Sequence, residues 1–172
     1  MKKHLLLFIP FLLFAFTVVD LKPVDADDSV TFIIKNFGIN TKGSFSGLKG
    51  AIKWDATDPS NSSFNVSVDA NTINTGIDMR DNDLRKERYF NVAKYPTLNF
   101  VSTAVNATNV TGNLTIKGIT KQINIPYTVK PSGNGYLFEG KFSLNRRDFD
   151  VGGSSFTLGD DLQVQLKVLA TP

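Results

Sequence analysis

Apolar and polar residues alternate with a period of two along most of this 172-residue chain. Such alternation is typical of β-strands that pack one face inside and turn the other to solvent. Short turn signals separate the runs, among them Lys117-Gly118 and Gly159-Asp160. The pattern predicts about eight antiparallel strands, with early runs over residues 31–37 and 52–54. The later apolar faces carry Phe64, Val66, Val68 and Ala70; Val110, Gly112, Leu114 and Ile116; Ile123, Ile125, Tyr127 and Val129; Phe138, Gly140, Phe142 and Leu144; and Leu162, Val164, Leu166 and Val168.

Residues 73–102 break this alternation. A Thr75-Gly76 turn signal precedes a charged run with helical character, which Pro96 ends before alternation resumes. The segment predicts a short charged helix near one end of the strands. Its apolar side chains are Met79, Leu84, Tyr89 and Phe90.

Strands with one apolar face each must turn those faces toward a common interior. A closed eight-stranded antiparallel barrel does so without leaving free edges, and a two-sheet sandwich fits the same alternation. The predicted fold is therefore all-β, a single antiparallel barrel with a short helix near one end. The apolar strand positions suffice to fill a small barrel, but the Phe, Tyr and Trp residues of the predicted domain also suit the lining of a wider lumen.

The N-terminus has the features of a secretory signal. Two lysines precede an apolar run over residues 5–19, and Val24-Asp25-Ala26 offers small residues at the spacing of a cleavage site. An uncleaved membrane anchor is the alternative, but the run is shorter than the ~20 residues that a spanning helix needs, and it contains Pro10. The predicted organisation is a signal peptide over residues 1–26 and one domain over residues 27–172. The periplasm is the expected location, with the extracellular space as the alternative.

Removal of residues 1–26 changes the available chemistry. It takes three of the 19 basic and two of the 16 acidic residues, so the formal net charge falls from +3 to +2. Without clustered Lys and Arg, a nucleic-acid surface is not supported. It also takes the only histidine, His4, and the chain has no cysteine. The usual general base, activated thiol and zinc ligands are then missing, so we predict neither catalytic nor metal-binding residues.

Four sequence elements in order resemble the YceI-like polyisoprenoid-binding proteins, and the similarity covers nearly the whole predicted domain. The first is a glycine-punctuated run over residues 43–50, followed by Ile52 and Asp55; the third is a strand-turn-strand run over residues 112–121. The second and fourth elements are Ile73, Asn74, Thr75, Gly76, Arg80, Asp81, Leu84, Tyr89, Phe90, Tyr95, Pro96, Phe100 and Ser102, and then Asn145, Arg146, Arg147, Asp148 and Phe149.

Three positions depart from the family pattern. Asp83 stands where the family commonly has histidine, Asn91 where it has aspartate, and Asp150 where it has glycine. The first change argues against a function that needs a titrating imidazole. None of the three touches the apolar faces.

The resemblance implies a lipocalin-like barrel whose lumen holds a long isoprenoid or similar amphiphile, such as a polyprenyl phosphate or an isoprenoid quinone. It also implies an exported carrier or reservoir, often a homodimer, in transient contact with a membrane; that lipid is the implied occupant, and no other cofactor is expected. An enzyme that uses Tyr95 or Asp81 as acid or base, or a structural β-domain without ligand, are the alternatives. The candidate ligand-binding residues are Trp54, Phe64, Val66, Met79, Arg80, Leu84, Tyr89, Phe90, Tyr95, Phe100, Leu114, Phe138, Phe142 and Arg146.

Arginines near the helix could meet a polar head group. Arg85 and Arg88 also fit a solvated helix face. Arg80 and Arg146 lie in the resembling elements, and they could instead pair with Asp81 and Asp148 to fix loops.

Overall fold

A computed structural model describes residues 18–172 of the protein as ten β-strands, one α-helix and three short 3-10 helices. The α-helix, α1, is Asp78–Arg85, and the 3-10 helices are Pro59–Asn61, Ala70–Thr72 and Arg146–Phe149. The strands are β1 Val19–Pro23, β2 Val30–Asn36, β3 Ile39–Phe45, β4 Lys49–Trp54, β5 Ser63–Asp69, β6 Thr97–Val105, β7 Asn109–Ile116, β8 Ile119–Ser132, β9 Gly135–Asn145 and β10 Leu158–Thr171.

The strands form a closed antiparallel barrel. Their order is β1-β4-β5-β6-β7-β8-β9-β10-β2-β3, and β1 also pairs with β10. Eight strands, β1 and β4 to β10, therefore complete a ring. The β2–β3 hairpin pairs with the first part of β10 and extends the wall beyond β1. The predicted single barrel of about eight strands with a short helix is confirmed, and the sandwich is not what forms.

Strand β1 closes the ring, and it lies inside the segment assigned to the signal peptide. Leu21 pairs with Ile52 of β4 and is 2% exposed, while Pro23 pairs with Ala170 of β10. Just after β1, the Asp25 carboxylate accepts hydrogen bonds from the backbone N–H groups of residues 47 and 48, at 2.9 Å each. Residues 1–17 lie outside the described part of the chain. A cut after Ala26 would remove a strand that the barrel uses on both sides.

Aromatic side chains plug one end of the barrel, which we call the plugged end. The Trp54 ring meets the Phe138 ring edge-on at 5.2 Å between centroids and the Tyr127 ring at 6.2 Å. Edge-to-face pairs of this kind stabilise a core by about 0.5–1.5 kcal/mol each beyond their buried area. The cluster around them contains Leu21, Ile52, Trp54, Phe64, Val105, Val110, Tyr127, Phe138 and Ala170.

The opposite end of the barrel, the helix end, carries α1 and the turns that follow it. The sequence predicted helical character up to about residue 95, but α1 ends at Arg85 and Lys86 is already extended. Tyr89 and Phe90 instead lie in turns and pack against the core under this end. Both rings are half-buried there, and tertiary packing of this kind stabilises a segment whose helix is short.

A buried aspartate fixes the turn between β4 and β5. The Asp55 carboxylate accepts hydrogen bonds from the Thr57 hydroxyl at 2.7 Å, the Thr57 and Asp58 backbone N–H groups at 2.9 and 3.0 Å, and the Asn61 amide at 3.2 Å. These bonds, the Thr57 hydroxyl first, lower the pKa of Asp55 from 3.8 to about 2. The charged form is therefore favoured by folding.

We expect Asp55 to make the barrel acid-sensitive in a defined range. Because its folded pKa is depressed, its contribution to stability is complete above about pH 4 and is lost as the pH falls toward about 2. Asp55→Asn should lower the urea midpoint at pH 7 and flatten the fall in stability between pH 4 and pH 2, as followed by circular dichroism. An equally steep fall in the variant would contradict this assignment.

Candidate functional site

An apolar lumen of about 270 Å³ runs inside the barrel from the plugged end toward the helix end. Almost all of its surface is carbon, contributed by side chains from most of the strands and from the segment after α1. Phe64 and Phe138 line its inner end, where they join the plugging cluster. Leu84 and Phe90 line it at the helix end. The interior is therefore not filled solid, and its lining suits a hydrocarbon.

Glycine positions leave room for large rings on the lumen wall. The Phe100 ring of β6 lies against Gly112 of β7, where an added Cβ would sit 2.5 Å from the ring. The Phe32 ring lies against Gly43 of β3 in the same way, with an added Cβ 2.2 Å away. A larger residue at either glycine would push a ring into the lumen. These glycines therefore help to keep the lumen open.

The structure brings eleven of the fourteen candidate residues together on the lumen wall. Ligand contact by them stays a prediction. They are Phe64, Val66, Arg80, Leu84, Tyr89, Phe90, Phe100, Leu114, Phe138, Phe142 and Arg146.

The other three candidates lie elsewhere. Trp54 is buried in the plug and does not line the lumen. Met79 is on the outer surface of α1 and 78% exposed. Tyr95 packs outside the lumen against Gly118, at the turn between β7 and β8, and the Lys94 ammonium lies 5.3 Å from its ring centroid.

Arg146 is a structural residue in this fold. Its guanidinium is 5% exposed and donates to the carbonyls of Gly159, Val151, Gly152 and Gly153 at 2.8–3.1 Å, and to that of Leu158 at 3.4 Å. The remaining contact is an ion pair of 2.5 Å with Asp160, rather than with Asp148 as the sequence suggested. All of its donor groups are engaged, so the side chain fixes the loop over residues 150–157 against the start of β10.

The arginines of the helix segment also bond to protein groups. Arg80 donates to the hydroxyl and carbonyl of Thr75, both at 2.7 Å, and Thr75 in turn bonds to Asp81. Arg85 donates to the carbonyls of residues 71 and 73. The Arg88 guanidinium lies 5.7 Å from the centroid of the Tyr89 ring. Arg80 therefore lines the lumen but has its hydrogen bonds directed into the loop.

Two groups that could act as an acid or a base are also engaged in hydrogen bonds within the protein. Asp81 is buried and accepts hydrogen bonds from the backbone N–H and the hydroxyl of Thr75. Tyr127 donates to the carbonyl of Asn106 at 2.8 Å, and burial raises the pKa of its phenol. Within residues 18–172, no three His, Cys, Asp or Glu side chains meet in an arrangement that could hold a metal ion.

Several lumen residues were not among the candidates, although they obey the same alternation. Inward positions of β2, β8 and β10 line the lumen as fully as the chosen ones. Each of them lies at an inward-facing position of its strand, and the alternation in the sequence shows which positions these are. They include Phe32, Ile34, Ile123, Ile125, Leu162, Val164 and Leu166.

The fold and the lumen define a class of protein: a small closed β-barrel around an apolar cavity. The family profile described as the YceI-like domain matches residues 22–170, and the chain belongs to this family. The match begins within β1, in agreement with the role of that strand in closing the ring. A UPF0312 protein of Pseudomonas paraeruginosa is 35% identical over 133 residues, which cover 71% of this chain and 70% of the relative. Protein YceI of Salmonella arizonae is 32% identical over 135 residues, with the same coverage.

Solved structures share the barrel. BcnA of Burkholderia cenocepacia superposes with a TM-score of 0.77 at 27% identity, over 83% of this chain and 95% of that one. A polyisoprenoid binding domain from Saccharophagus degradans superposes with a TM-score of 0.69 over 90% of this chain and 99% of that one. Its identity of 14% makes this second likeness one of fold alone.

Proposed function

We propose that the protein is an exported carrier or reservoir that holds the hydrocarbon chain of an amphiphilic lipid in its lumen. The observation that carries this proposal is the nearly all-carbon surface of a cavity closed at one end by aromatic rings. An apolar chain gains free energy when it leaves water for such a cavity. A charged group would lose its hydration there without gaining a hydrogen-bond partner.

The size of the lumen sets how much chain it takes. A cavity of roughly 150 Å³ holds a benzene ring, so about 270 Å³ holds on the order of ten carbon atoms. At about 0.8 kcal/mol per buried CH₂, this contributes roughly 8 kcal/mol of favourable burial, from which the cost of association is subtracted. A longer chain must therefore displace side chains or extend out of the lumen at the helix end.

The proposed lipid class is a polyisoprenoid or quinone-like lipid. Family membership and the shared fold of the polyisoprenoid binding domain from Saccharophagus degradans support this class. The engaged hydrogen bonds of Arg80 and Arg146 support recognition of the tail, with the head group outside the lumen. The same commitments of Asp81 disfavour the enzyme alternative.

Export is proposed with a revised cleavage point. Because β1 supplies a wall of the barrel, the cut that preserves the fold lies N-terminal to Val19 rather than after Ala26. No helix in residues 18–172 is long and apolar enough to cross a membrane. Transient membrane contact and periplasmic location remain part of the proposal, and a homodimer remains an expectation of the family.

A matched pair of charge substitutions tests lumen binding. Phe100 lines the lumen, whereas its neighbour Val101 is exposed on the outer face of β6. Phe100→Asp should weaken uptake of a fluorescent polyene fatty acid by about 100-fold, because a carboxylate in the lumen must be desolvated when the chain enters. Val101→Asp should leave uptake unchanged. Probe fluorescence during titration measures both variants, and Leu114→Asp provides a second lumen variant.

Stability of the same variants separates a hollow lumen from a solid core. Phe100→Asp and Leu114→Asp should remain folded by circular dichroism, because water can reach a charge in an unfilled cavity. Unfolding of both would favour a packed interior. Equal uptake by Phe100→Asp and Val101→Asp would contradict binding in the lumen.

A further inference from the structure

Exposed apolar side chains gather at the helix end of the barrel. Phe37 is 74% exposed, Ile39 is 70% exposed, Phe156 is fully exposed, and Ile77 and Met79 lie at the start of α1 with more than half of their surface in solvent. We call these five residues the apolar rim. Large apolar residues exposed elsewhere in the described chain are Val18, Val24 and Val101, none of them aromatic.

The first half of the rim is joined to the lumen wall by backbone contacts. Phe37 lies in the β2–β3 turn, and its N–H donates to the carbonyl of Thr157 at 2.7 Å, which brings the turn beside the segment that carries Phe156. Asn36 and Leu158, which adjoin these residues in sequence, pair with each other and both line the lumen. Phe37 and Phe156 therefore lie at the edge of the lumen.

The inward-facing row of β3 continues to this edge of the lumen. Ile39 pairs with Asn36, and Thr41 pairs with Ile34, so both face the side of the sheet that lines the lumen. Thr41 lines the lumen and Ile39, two residues nearer the tip, is exposed beyond it. The inward face of the sheet thus continues from the lumen to an exposed apolar side chain outside it.

The second half of the rim lies on α1. Thr75 and Arg80 line the lumen and lie on either side of Ile77 and Met79 in sequence. The segment after α1 meets the loop that carries Phe156, because the Gly152 N–H donates to the Arg88 carbonyl at 2.9 Å. The two halves of the rim therefore flank the same end of the lumen.

The β2–β3 turn requires a positive φ at position 37, but it does not require the phenylalanine side chain that stands there. Its backbone has a φ of 51°, in the left-handed region that glycine and asparagine tolerate and that a bulky side chain adopts at a cost. Most of the ring is in water, so packing does not offset that cost. A residue with this combination of strain and exposure suits contact with something outside the chain.

We propose that the apolar rim inserts into the surface of a lipid bilayer, so that a hydrocarbon chain passes between bilayer and lumen without crossing water. The proposal rests on lipid binding in the lumen. Single side chains at turn tips suit shallow insertion at the headgroup boundary, whereas a stable protein partner needs a face of about 800 Å². The hairpin adds Lys35 and Lys42 and no acidic residue between residues 30 and 46, which favours an anionic surface; Asp78 and Asp83 on α1 partly oppose it.

The test uses a double variant that should fold at least as well as the natural chain. Phe37→Asn places a residue that tolerates positive φ in the turn, and Phe156→Ser removes the other exposed ring. Val101→Ser is the control, because it removes exposed apolar surface far from the rim. Urea unfolding should show an unchanged or higher midpoint for the double variant.

Three measurements compare the proteins. Co-sedimentation uses vesicles of phosphatidylcholine with about one quarter phosphatidylglycerol. Stopped-flow fluorescence measures transfer of a polyene fatty acid from those vesicles, and titration measures uptake of the same probe from solution. We expect the double variant to lose about tenfold in vesicle binding and in transfer rate, since two rings no longer insert. Its uptake from solution should stay within about twofold, because the lumen lining is unchanged.

Each other outcome overturns a defined claim. Unchanged vesicle binding and transfer in the double variant would overturn the bilayer contact. Sedimentation equilibrium could show that the natural chain is a dimer and the double variant a monomer. That result would mean that a second copy covers the rim, and it would also overturn the bilayer contact. Failure of the natural chain to take up probe from solution would instead overturn the proposed function, whatever its vesicle binding.

Discussion

A chain that begins at Asp27 is expected not to form the barrel, whereas one that begins at Val18 is expected to fold. The shorter chain lacks β1, and with it the pairing of β1 to both β4 and β10 and the burial of Leu21. Burial of a leucine contributes about 2–3 kcal/mol and each backbone hydrogen bond about 1 kcal/mol. The combined loss approaches the roughly 5–15 kcal/mol of net stability of a typical domain. Circular dichroism and urea unfolding of the two chains measure it.

A point substitution separates the effect of losing the contacts of β1 from the effect of shortening the chain. Leu21→Ala in the chain that begins at Val18 should lower the free energy of unfolding by about 2–5 kcal/mol, because it leaves a cavity in the plugging cluster. Val24→Ala, at an exposed position just after β1, should have little effect. Equal urea midpoints for the chains that begin at Asp27 and Val18 would refute the closing role of β1.

Arg146→Met is expected to lower the free energy of unfolding by about 3–5 kcal/mol and to release the loop over residues 150–157. The variant leaves buried carbonyls without a donor and Asp160 without its ion-pair partner. Arg147→Met is the matched control, since the neighbouring side chain is exposed. Urea unfolding measures stability, and hydrogen exchange of the loop amides measures its release.

The same pair of variants tests the other role considered for Arg146. If Arg146→Met kept its stability and lost lipid uptake, the guanidinium would act on a head group instead of on the loop. A loss of stability with probe affinity retained in the folded fraction would support the loop role.

Most of the fold follows from the sequence because strand parity is a local signal. The inward rows of β5 to β10 are visible as alternating residues, and closure follows because each has one apolar face. Strand β1 could not be recognised in the same way. Its alternation of Val19 and Leu21 with polar residues is short and directly follows a long apolar run, so the sequence predicts it as part of the signal segment.

Position along the barrel axis, unlike parity, is not visible in the sequence. Trp54 and Phe64 both point inward from neighbouring strands, but only Phe64 reaches the lumen while Trp54 lies in the plug. The hydrogen-bond and ion-pair partners of charged side chains are also not visible in the sequence. The carbonyls that Arg146 binds belong to residues 5–13 positions later, which only the folded loop brings together. An apolar Met79 on a short charged helix predicts ligand contact, but the sequence does not show which way the helix turns that side chain, and it is exposed.

Native mass spectrometry of the protein purified from its own host, combined with analysis of an organic extract, tests the central claim most directly. The account predicts one lipid per chain, with an apolar tail of at least about ten carbons to match the lumen of about 270 Å³. The bound species should be absent from Phe100→Asp and present in Val101→Asp. An empty extract, together with no uptake of added isoprenoid quinone or polyprenyl phosphate, would contradict the account.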